Sequence, residues 1–243
     1  MARKRSSGKS VQPKSYKGSQ PIVKNVEQGL ETERFDYKSH CKIETRTEAQ
    51  RSAMKLFHKS DYLFLIGPAG VGKSFIATSL AIKETINYNV GKIVLTRPVI
   101  EAEETLGFLP GTFEDKINPY LVPLYDQFDE VFDERSIAKQ FEKQFVHIAP
   151  LAYMRGRTFN NSICILDEAQ NCTYGQMKLY LTRLGKNSKM IITGDPNQCD
   201  VKNSGLMDVI DRCKHRSSVG VIIFENSDNV RHPAVENMLI DLG

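Results

Sequence analysis

Short apolar runs alternate along this chain with longer stretches in which apolar residues recur at helical spacing. The short runs are apolar on both faces, which is typical of strands buried inside a parallel sheet. We predict six strands, at residues 62–66, 92–96, 144–149, 162–166, 189–193 and 219–224. Strands that alternate with helices predict an α/β fold with a mainly parallel sheet and helices on both of its faces.

Helices are predicted between most of these strands. The first begins near residue 45, and the others cover residues 73–86, 173–184 and about 204–213. The stretch 113–133 also has helical character, but it contains Pro119 and Pro123, so we expect it to be broken. Residues 97–111 are punctuated by Pro and Gly and predict a long functional loop.

Charge divides the chain into three parts. Residues 1–25 carry seven Lys or Arg and no acid, although the whole chain has a net charge of only +4. This tail is rich in Ser, Gly and Gln, so we expect it to be disordered, either as a basic arm for nucleic acid or as an incidental solubilising segment. A polar lead-in follows at 26–44, and a single folded domain is expected over 45–243.

Composition argues against several classes of protein. The apolar runs are far shorter than a membrane span and none follows the basic N-terminus, so we expect a cytoplasmic protein with no membrane partner. The five cysteines have neither a CxxC nor a zinc-knuckle spacing, and the five histidines form no HExxH pair. We therefore expect free thiols and no structural metal.

A phosphate-binding loop is the strongest chemical signal in the chain. The pattern GxxxxGK[ST] is matched at every fixed position by consecutive residues: Gly67, Pro68, Ala69, Gly70, Val71, Gly72, Lys73 and Ser74. Glycines let backbone N–H groups turn towards phosphate oxygens, and the positive end of the following helix points at the same anion. Lys73 would reach the β- and γ-phosphates of a nucleotide, and the Ser74 hydroxyl would bind Mg²⁺. Phe75, the next residue, completes the predicted nucleotide-binding segment.

A second signal is the acidic pair Asp167 and Glu168, which ends a predicted buried strand. Ligands gather at the carboxyl ends of parallel strands, so the pair should lie beside the phosphate loop. Asp167 would hold Mg²⁺ and Glu168 would orient or activate the attacking water, with a solvated helix cap as the alternative. Asp195 and Gln198 follow the next strand and would contact the γ-phosphate or its water, unless they form only a turn.

These residues belong to a longer series of motifs that resembles the PhoH family of P-loop ATPases, itself similar to the superfamily-one helicases. The motifs are TEAQ (47–50), GPAGVGKS (67–74), LTRPVIEAEETLGFLPG (95–111), LAYMRGRTF (151–159), ILDEAQN (165–171), MKLYLTRLG (177–185), TGDPNQ (193–198) and VRHPAV (230–235). The resemblance implies a RecA-like fold that binds ATP with Mg²⁺, in which Gln50 contacts the adenine. It also implies that Gln198 couples the γ-phosphate to a nucleic-acid groove.

The resemblance also has implications for the assembly. The compact form is similar to versions carried by bacteriophages, which would place the protein in the cytoplasm of a host. Similar helicases take a transition-state arginine from a second RecA-like domain, and neither that domain nor a KH-like or PIN module is recognisable in the sequence. We therefore expect another copy to supply the cation in a homo-oligomer, a hexameric ring by resemblance. Arg231 and Arg183 are the candidate fingers or sensors.

Contact with a phosphodiester chain is predicted for Tyr153, Arg155 and Arg157, which combine a stacking aromatic ring with two guanidinium groups. Arg97, at the end of another predicted strand, is a further candidate. For each arginine the alternative is an internal salt bridge to the acidic residues at 101–104.

Together these features predict Mg²⁺-dependent hydrolysis of ATP, coupled to the binding or remodelling of single-stranded nucleic acid, RNA in preference to DNA. The alternative is an ATP-dependent switch or assembly factor that acts on a protein partner. A small-molecule kinase is disfavoured because Glu168 directly follows Asp167, a pairing that suits hydrolysis.

Overall fold

The computed structural model describes residues 36–98, 113–231 and Ala234, with the side chains of 113–121 excepted. The predicted basic tail therefore lies outside the described residues. So do most of the polar lead-in and all but the first two residues of the predicted loop at 97–111.

The described part of the chain forms six strands and six α-helices. The strands are β1 (Tyr62–Ile66), β2 (Lys92–Thr96), β3 (Val146–Ile148), β4 (Ser162–Leu166), β5 (Lys189–Gly194) and β6 (Val219–Ile223). The helices are α1 (Glu48–Lys59), α2 (Lys73–Ile86), α3 (Phe113–Val131), α4 (Arg135–Phe145), α5 (Tyr174–Leu181) and α6 (Leu206–Cys213). Every predicted strand is present close to its predicted position, and no helix in the described residues is long and apolar enough to cross a lipid bilayer.

The strands form one sheet in the order β3-β2-β4-β5-β1-β6. Each neighbouring pair in the described residues runs parallel, which confirms the predicted parallel sheet. At the end of β1, Ile66 lies beside Gly194 of β5 and Ile223 of β6. The carboxyl ends of the strands therefore meet at one edge of the sheet, where the segments after β1, β4 and β5 are neighbours.

Helices cover both faces of this sheet, as predicted. Successive residues of a strand point to opposite sides, so an apolar strand presents apolar side chains to the helices on each face. Leu63 and Leu65 of β1 join the core that packs against α1 to α4. Phe64 and Ile66 of the same strand join a second core that packs against α5 and α6. Burial on both sides explains why the strands read as continuous apolar runs in the sequence.

Helix α3 runs without interruption through Pro119 and Pro123, so the expectation of a broken helix was wrong. The second half of the helix buries Leu124, Phe128 and Val131 in the core, at helical spacing. Pro123 is exposed, so its ring lies away from the packed side. Packing of this buried apolar stripe keeps the helix continuous, although the proline cannot donate a backbone hydrogen bond.

Helix α4 is absent from the sequence prediction, and the strand expected over 144–149 is reduced to the short β3. Within α4, Ile137, Ala138 and Phe141 are buried at helical spacing. The ring of Phe141 packs edge-on against Tyr37, with centroids 5.2 Å apart. This aromatic contact anchors the segment before α1 and the helix α4 in the same core.

Glu142 on α4 lies in an environment that disfavours its charge. Burial, and then the nearby carboxylate of Asp129, raise the pKa of Glu142 from 4.5 to about 7, while Lys139 and Arg135 oppose the shift. Between those two pH values the folded chain keeps a proton on Glu142 that the unfolded chain has lost. The contribution of this group to stability therefore falls as the pH rises from about 4.5 to about 7.

We expect Glu142→Gln to have a melting temperature close to that of the wild type near pH 4.5 and a higher one near pH 8, since glutamine never carries the disfavoured charge. Thermal unfolding followed by circular dichroism, at steps of pH across this window, measures the difference. A difference between the two chains that stays constant across the window would contradict the assignment to Glu142.

Candidate nucleotide site

The predicted phosphate loop connects β1 to α2 at the carboxyl edge of the sheet. Its glycines Gly67, Gly70 and Gly72 have φ angles of +151°, +87° and +83°, which residues with a side chain rarely adopt. A Cβ on Gly67 would lie only 2.6 Å from the carbonyl oxygen of Phe224, just after β6. Backbone conformation and close packing thus both require glycine, as expected for a loop that wraps a phosphate group.

Lys73 begins α2, and its ammonium group turns back onto the loop. Its Nζ donates hydrogen bonds of 2.7 Å to the carbonyl oxygens of both Gly67 and Pro68. Burial lowers the pKa of Lys73, and the carboxylates that follow β4 and β5 oppose this lowering. The cation therefore lies near acidic groups, held by acceptors that belong to the same loop as itself.

Asp167 links the loop to the end of β4. The Ser74 hydroxyl donates a hydrogen bond of 2.9 Å to Asp167 Oδ1, and the Thr193 hydroxyl of β5 donates to the same oxygen. Asp167 is only 6% exposed to solvent. Hydroxyl and carboxylate oxygens are the ligands that Mg²⁺ prefers, so Ser74 and Asp167 fit the metal role predicted for them.

Glu168 has φ 55° and ψ 41°, a left-handed conformation that costs a residue with a side chain roughly 1–2 kcal/mol. Its Oε1 accepts a hydrogen bond of 3.2 Å from Arg97 Nη2, and its Oε2 accepts one of 2.5 Å from Gln170 Nε2. It makes no side-chain capping bond to the 3₁₀ turn that follows. The carboxylate is thus engaged by an arginine and an amide rather than by a helix end.

Gln170 joins the ends of two neighbouring strands. While its Nε2 donates to Glu168 after β4, its Oε1 accepts a hydrogen bond of 3.0 Å from the backbone N–H of Asp195 after β5. Asp195 is buried, and its carboxylate accepts the N–H of Asn197 at 3.0 Å, which is turn chemistry. Gln198 donates its backbone N–H to the Asp195 carbonyl at 3.1 Å, and its side chain is exposed at the same sheet edge.

Gln50 lies beneath the loop and is 2% exposed. Its Oε1 accepts the backbone N–H of Arg46 at 2.8 Å, and its Nε2 donates to the carbonyl oxygen of Val71 at 3.0 Å. A Cβ on Gly72 would lie 2.8 Å from Nε2. The carboxamide therefore ties the start of α1 to the phosphate loop.

A cleft of about 720 Å³ opens beside the loop, with Gln50, Ser74 and Phe75 among its walls. Arg231 lines the same cleft, and a Cβ on Gly70 would lie 2.6 Å from its Cδ. Besides burial, the charge of Arg231 lowers the pKa of Lys73. The size of the cleft suits a small-molecule ligand, and the structure brings Arg231 to the loop of its own chain.

Other predicted residues lie away from the loop. Arg183 Nη1 donates to the carbonyl oxygen of Arg157 at 3.0 Å, and the Arg183 carbonyl accepts the N–H of Phe159 at 2.9 Å. Phe159 precedes β4, so this group lies at the amino edge of the sheet, opposite the phosphate loop. Arg155 and Arg157 are exposed, Arg157 lies over the Phe159 ring at 5.1 Å, and Tyr153 is 56% exposed.

Arg97 forms an internal salt bridge, but the partner is Glu168. Residues 101–104, the expected alternative partners, lie outside the described residues. Gln170 and Thr193 also belong to the site, although no pattern in the sequence points directly to either of them. Both stand inside the quoted motifs, and a hydroxyl near the end of the apolar strand β5 is the signal that could have found Thr193.

A parallel α/β sheet, a phosphate loop after β1 and an acidic pair after β4 define a RecA-like P-loop NTPase. Residues 42–241 match the family described as PhoH-like protein. The chain belongs to the PhoH-like protein family.

Two relatives with a similar sequence agree with the family assignment. The chain is 44% identical over 200 residues to a PhoH-like protein of Bacillus subtilis (strain 168), covering 81% of this chain and 63% of that protein. It is 41% identical over 211 residues to the protein PhoH of Escherichia coli (strain K12), covering 84% and 59%. It thus spans about three fifths of the length of these relatives. Among solved structures, the Pif1 helicase from Candida albicans matches 82% of this chain and 44% of its own, with 14% identity and a TM-score of 0.41.

We expect Gly67→Ala to weaken nucleotide binding by about tenfold or more, because its Cβ would force the loop away from Phe224. Titration with a fluorescent ATP analogue and Mg²⁺ measures the affinity. Gly156→Ala is the matched control, since Gly156 has φ +78° and no described atom lies within 4 Å of its Cβ position. Equal affinities for the two variants would show that the packing of Gly67 does not shape the loop.

Proposed function

We propose that this chain hydrolyses ATP with the help of Mg²⁺. The observation that carries the proposal is the hydrogen bond of 2.9 Å between Ser74 and Asp167, because it joins the phosphate loop to the acidic end of β4. Glu168 comes directly after Asp167 at the same edge, where a group that orients the attacking water is required. One domain therefore contributes the phosphate loop, the metal ligands and a carboxylate base from adjacent segments.

Each of these side chains has a defined task in the proposed reaction. Lys73 exchanges its bonds to the loop carbonyls for bonds to the β- and γ-phosphate oxygens. Ser74 and Asp167 would hold Mg²⁺, which when bound would neutralise charge on the phosphates. Glu168 orients the attacking water and accepts its proton, and Arg231 adds positive charge where negative charge develops over the loop.

ATP is the nucleotide favoured by the environment of Gln50. A carboxamide nitrogen has two hydrogens and its oxygen has two lone pairs, and Gln50 uses one of each in its contacts with the described residues. One N–H and one lone pair therefore remain for a base in the cleft. A donor beside an acceptor complements the N7 and N6 amino group of adenine, which supports the adenine contact implied by the family resemblance.

We further propose that hydrolysis is coupled to single-stranded nucleic acid, RNA in preference to DNA. Tyr153, Arg155 and Arg157 support this part, because an exposed aromatic ring and two exposed guanidinium groups follow one another on the surface. Such a surface stacks bases and attracts phosphates without reading sequence. The proposed location is the cytoplasm, that of the host if the chain is viral.

A homo-oligomeric ring, hexameric by family resemblance, completes the proposal. Arg231 already stands over the loop of its own chain, so it is assigned to act in cis. Arg183 lies at the opposite edge of the sheet, and a head-to-tail contact brings opposite sides of neighbouring copies together. Arg183 is therefore assigned to the site of the neighbouring copy.

We expect Glu168→Gln to bind nucleotide normally and to lose about two to four orders of magnitude in ATP turnover, because the amide cannot accept a proton. Steady-state phosphate release and nucleotide titration separate the two effects, and Lys73→Ala serves as the control that loses binding itself. Undiminished turnover in Glu168→Gln would remove the carboxylate from the mechanism.

The same turnover assay, with single-stranded RNA and DNA oligonucleotides at low salt, tests the coupling. We expect both to raise the wild-type rate, RNA more than DNA. Unchanged turnover with either strand would contradict nucleic-acid coupling and favour a switch that acts on a protein partner.

Mixing inactive variants tests the ring. An equal mixture of Arg183→Ala and Lys73→Ala should recover up to about a quarter of wild-type turnover, because about one contact in four joins an intact loop to an intact arginine. The matched mixture of Arg231→Ala and Lys73→Ala should stay inactive, since both groups act in the same copy. Recovery in the second mixture but not the first would reverse the two assignments, and a monomeric mass with nucleotide bound would exclude the ring.

A further inference from the structure

We infer that Arg97 acts as a latch that holds the side chain of Glu168 in place. Arg97 must release the carboxylate before Glu168 can act on water. The inference rests on the proposed hydrolysis and adds a means of regulation to the same site. It assigns to Arg97 a positioning role, because Arg97 acts through Glu168.

Both oxygens of the carboxylate are engaged in the structure. Arg97 Nη2 lies 3.2 Å from Oε1 and Gln170 Nε2 lies 2.5 Å from Oε2. A side chain held at both oxygens cannot move to a new position without breaking one of the two contacts. The observed arrangement is therefore a resting state of Glu168.

The two partners differ in how easily they can let go. Gln170 is 1% exposed, and its other amide atom is fixed by the backbone N–H of Asp195. The Arg97 side chain is 24% exposed and follows β2 at the sheet edge. An anion from solution can therefore reach Arg97, whereas Gln170 is tied into the buried ends of β4 and β5. Arg97 is the movable half of the pair.

The backbone of Glu168 gives independent support. Its left-handed conformation is unusual for a residue with a side chain and persists only where the surroundings hold it. The contacts to Arg97 and Gln170 are the side-chain interactions that hold it among the described residues. Strain of this kind gathers at switch regions, because release of a contact lets the backbone relax.

A phosphate oxygen is the chemical group that would compete for Arg97, since a guanidinium binds phosphate and carboxylate with similar geometry. Two sources can supply it: the γ-phosphate of the bound nucleotide, or the backbone of a single strand at the end of β2. With the second source, binding of the strand would release Glu168 and so couple binding to hydrolysis.

The test compares kcat and KM for ATP in the wild type, Arg97→Ala and Arg97→Lys, each with and without a single-stranded RNA or DNA oligonucleotide. We expect Arg97→Ala to raise kcat without nucleic acid several-fold. KM should stay within about twofold if a strand is the competitor, and should rise if the γ-phosphate binds Arg97, because a contact to the substrate is then lost. Arg97→Lys should be intermediate, since it keeps the charge without the planar fork. Arg135→Ala is the matched control, because Arg135 also pairs with a carboxylate, Asp129, at 3.0 Å but lies on α4.

The outcomes separate the latch from the proposed function. A raised basal kcat with lost stimulation and an unchanged KM assigns the competing phosphate to the nucleic acid. A raised basal kcat with retained stimulation and a raised KM assigns it to the nucleotide. The double variant Arg97→Ala with Glu168→Gln should be inactive, which shows that the gain passes through Glu168. A folded Arg97→Ala whose basal kcat equals or falls below that of the wild type overturns the latch. If Glu168→Gln alone retains turnover, the proposed function fails instead.

Discussion

The site depends on the buried carboxylate of Asp167. Ser74 at the start of α2 and Thr193 near the end of β5 both donate to its Oδ1, so three segments that are distant in sequence meet at one oxygen. A carboxylate with so little exposure is stable only where donors or a cation satisfy it. The requirement to satisfy this charge fixes the phosphate loop against the end of β4, and with it the position of every group that acts on the phosphates.

The order of the strands makes that contact possible. Strand β5 lies between β1 and β4, so its end serves as the spacer between the phosphate loop and the acidic pair. Gly67 N–H donates to the Gly194 carbonyl at 3.1 Å, and a Cβ on Gly194 would lie 2.7 Å from Leu206 and 3.2 Å from Gln170 Oε1. A larger residue at the end of β5 would push the two halves of the site apart. The packing around Gly194 and the close approach of the two halves of the site therefore both require a small residue at this position.

Much of this could be predicted from the sequence, because buried parallel strands and a phosphate loop leave local signatures. Apolar runs identify strands that are buried on both sides, and the residue pattern from Gly67 to Ser74 indicates the backbone conformation of the phosphate loop. Continuity of α3 through Pro123 could not be predicted, since core packing outweighs the proline penalty only in the folded chain. The pairing of Arg97 with Glu168 likewise depends on the adjacency of β2 and β4, which no local pattern encodes.

In this conformation the two most reactive groups of the site are both bound to their own protein. Lys73 is held by loop carbonyls and Glu168 by Arg97 and Gln170. Exchange of one hydrogen-bond partner for another has a small net cost, because the bond that is lost is replaced by one of similar strength. A bound nucleotide would therefore draw Lys73 onto its phosphates with little penalty, whereas Glu168 stays engaged until a phosphate oxygen competes for Arg97. Where a nucleic-acid strand supplies that oxygen, the two groups are released in separate steps. Such a difference would let the chain hold a nucleotide without consuming it.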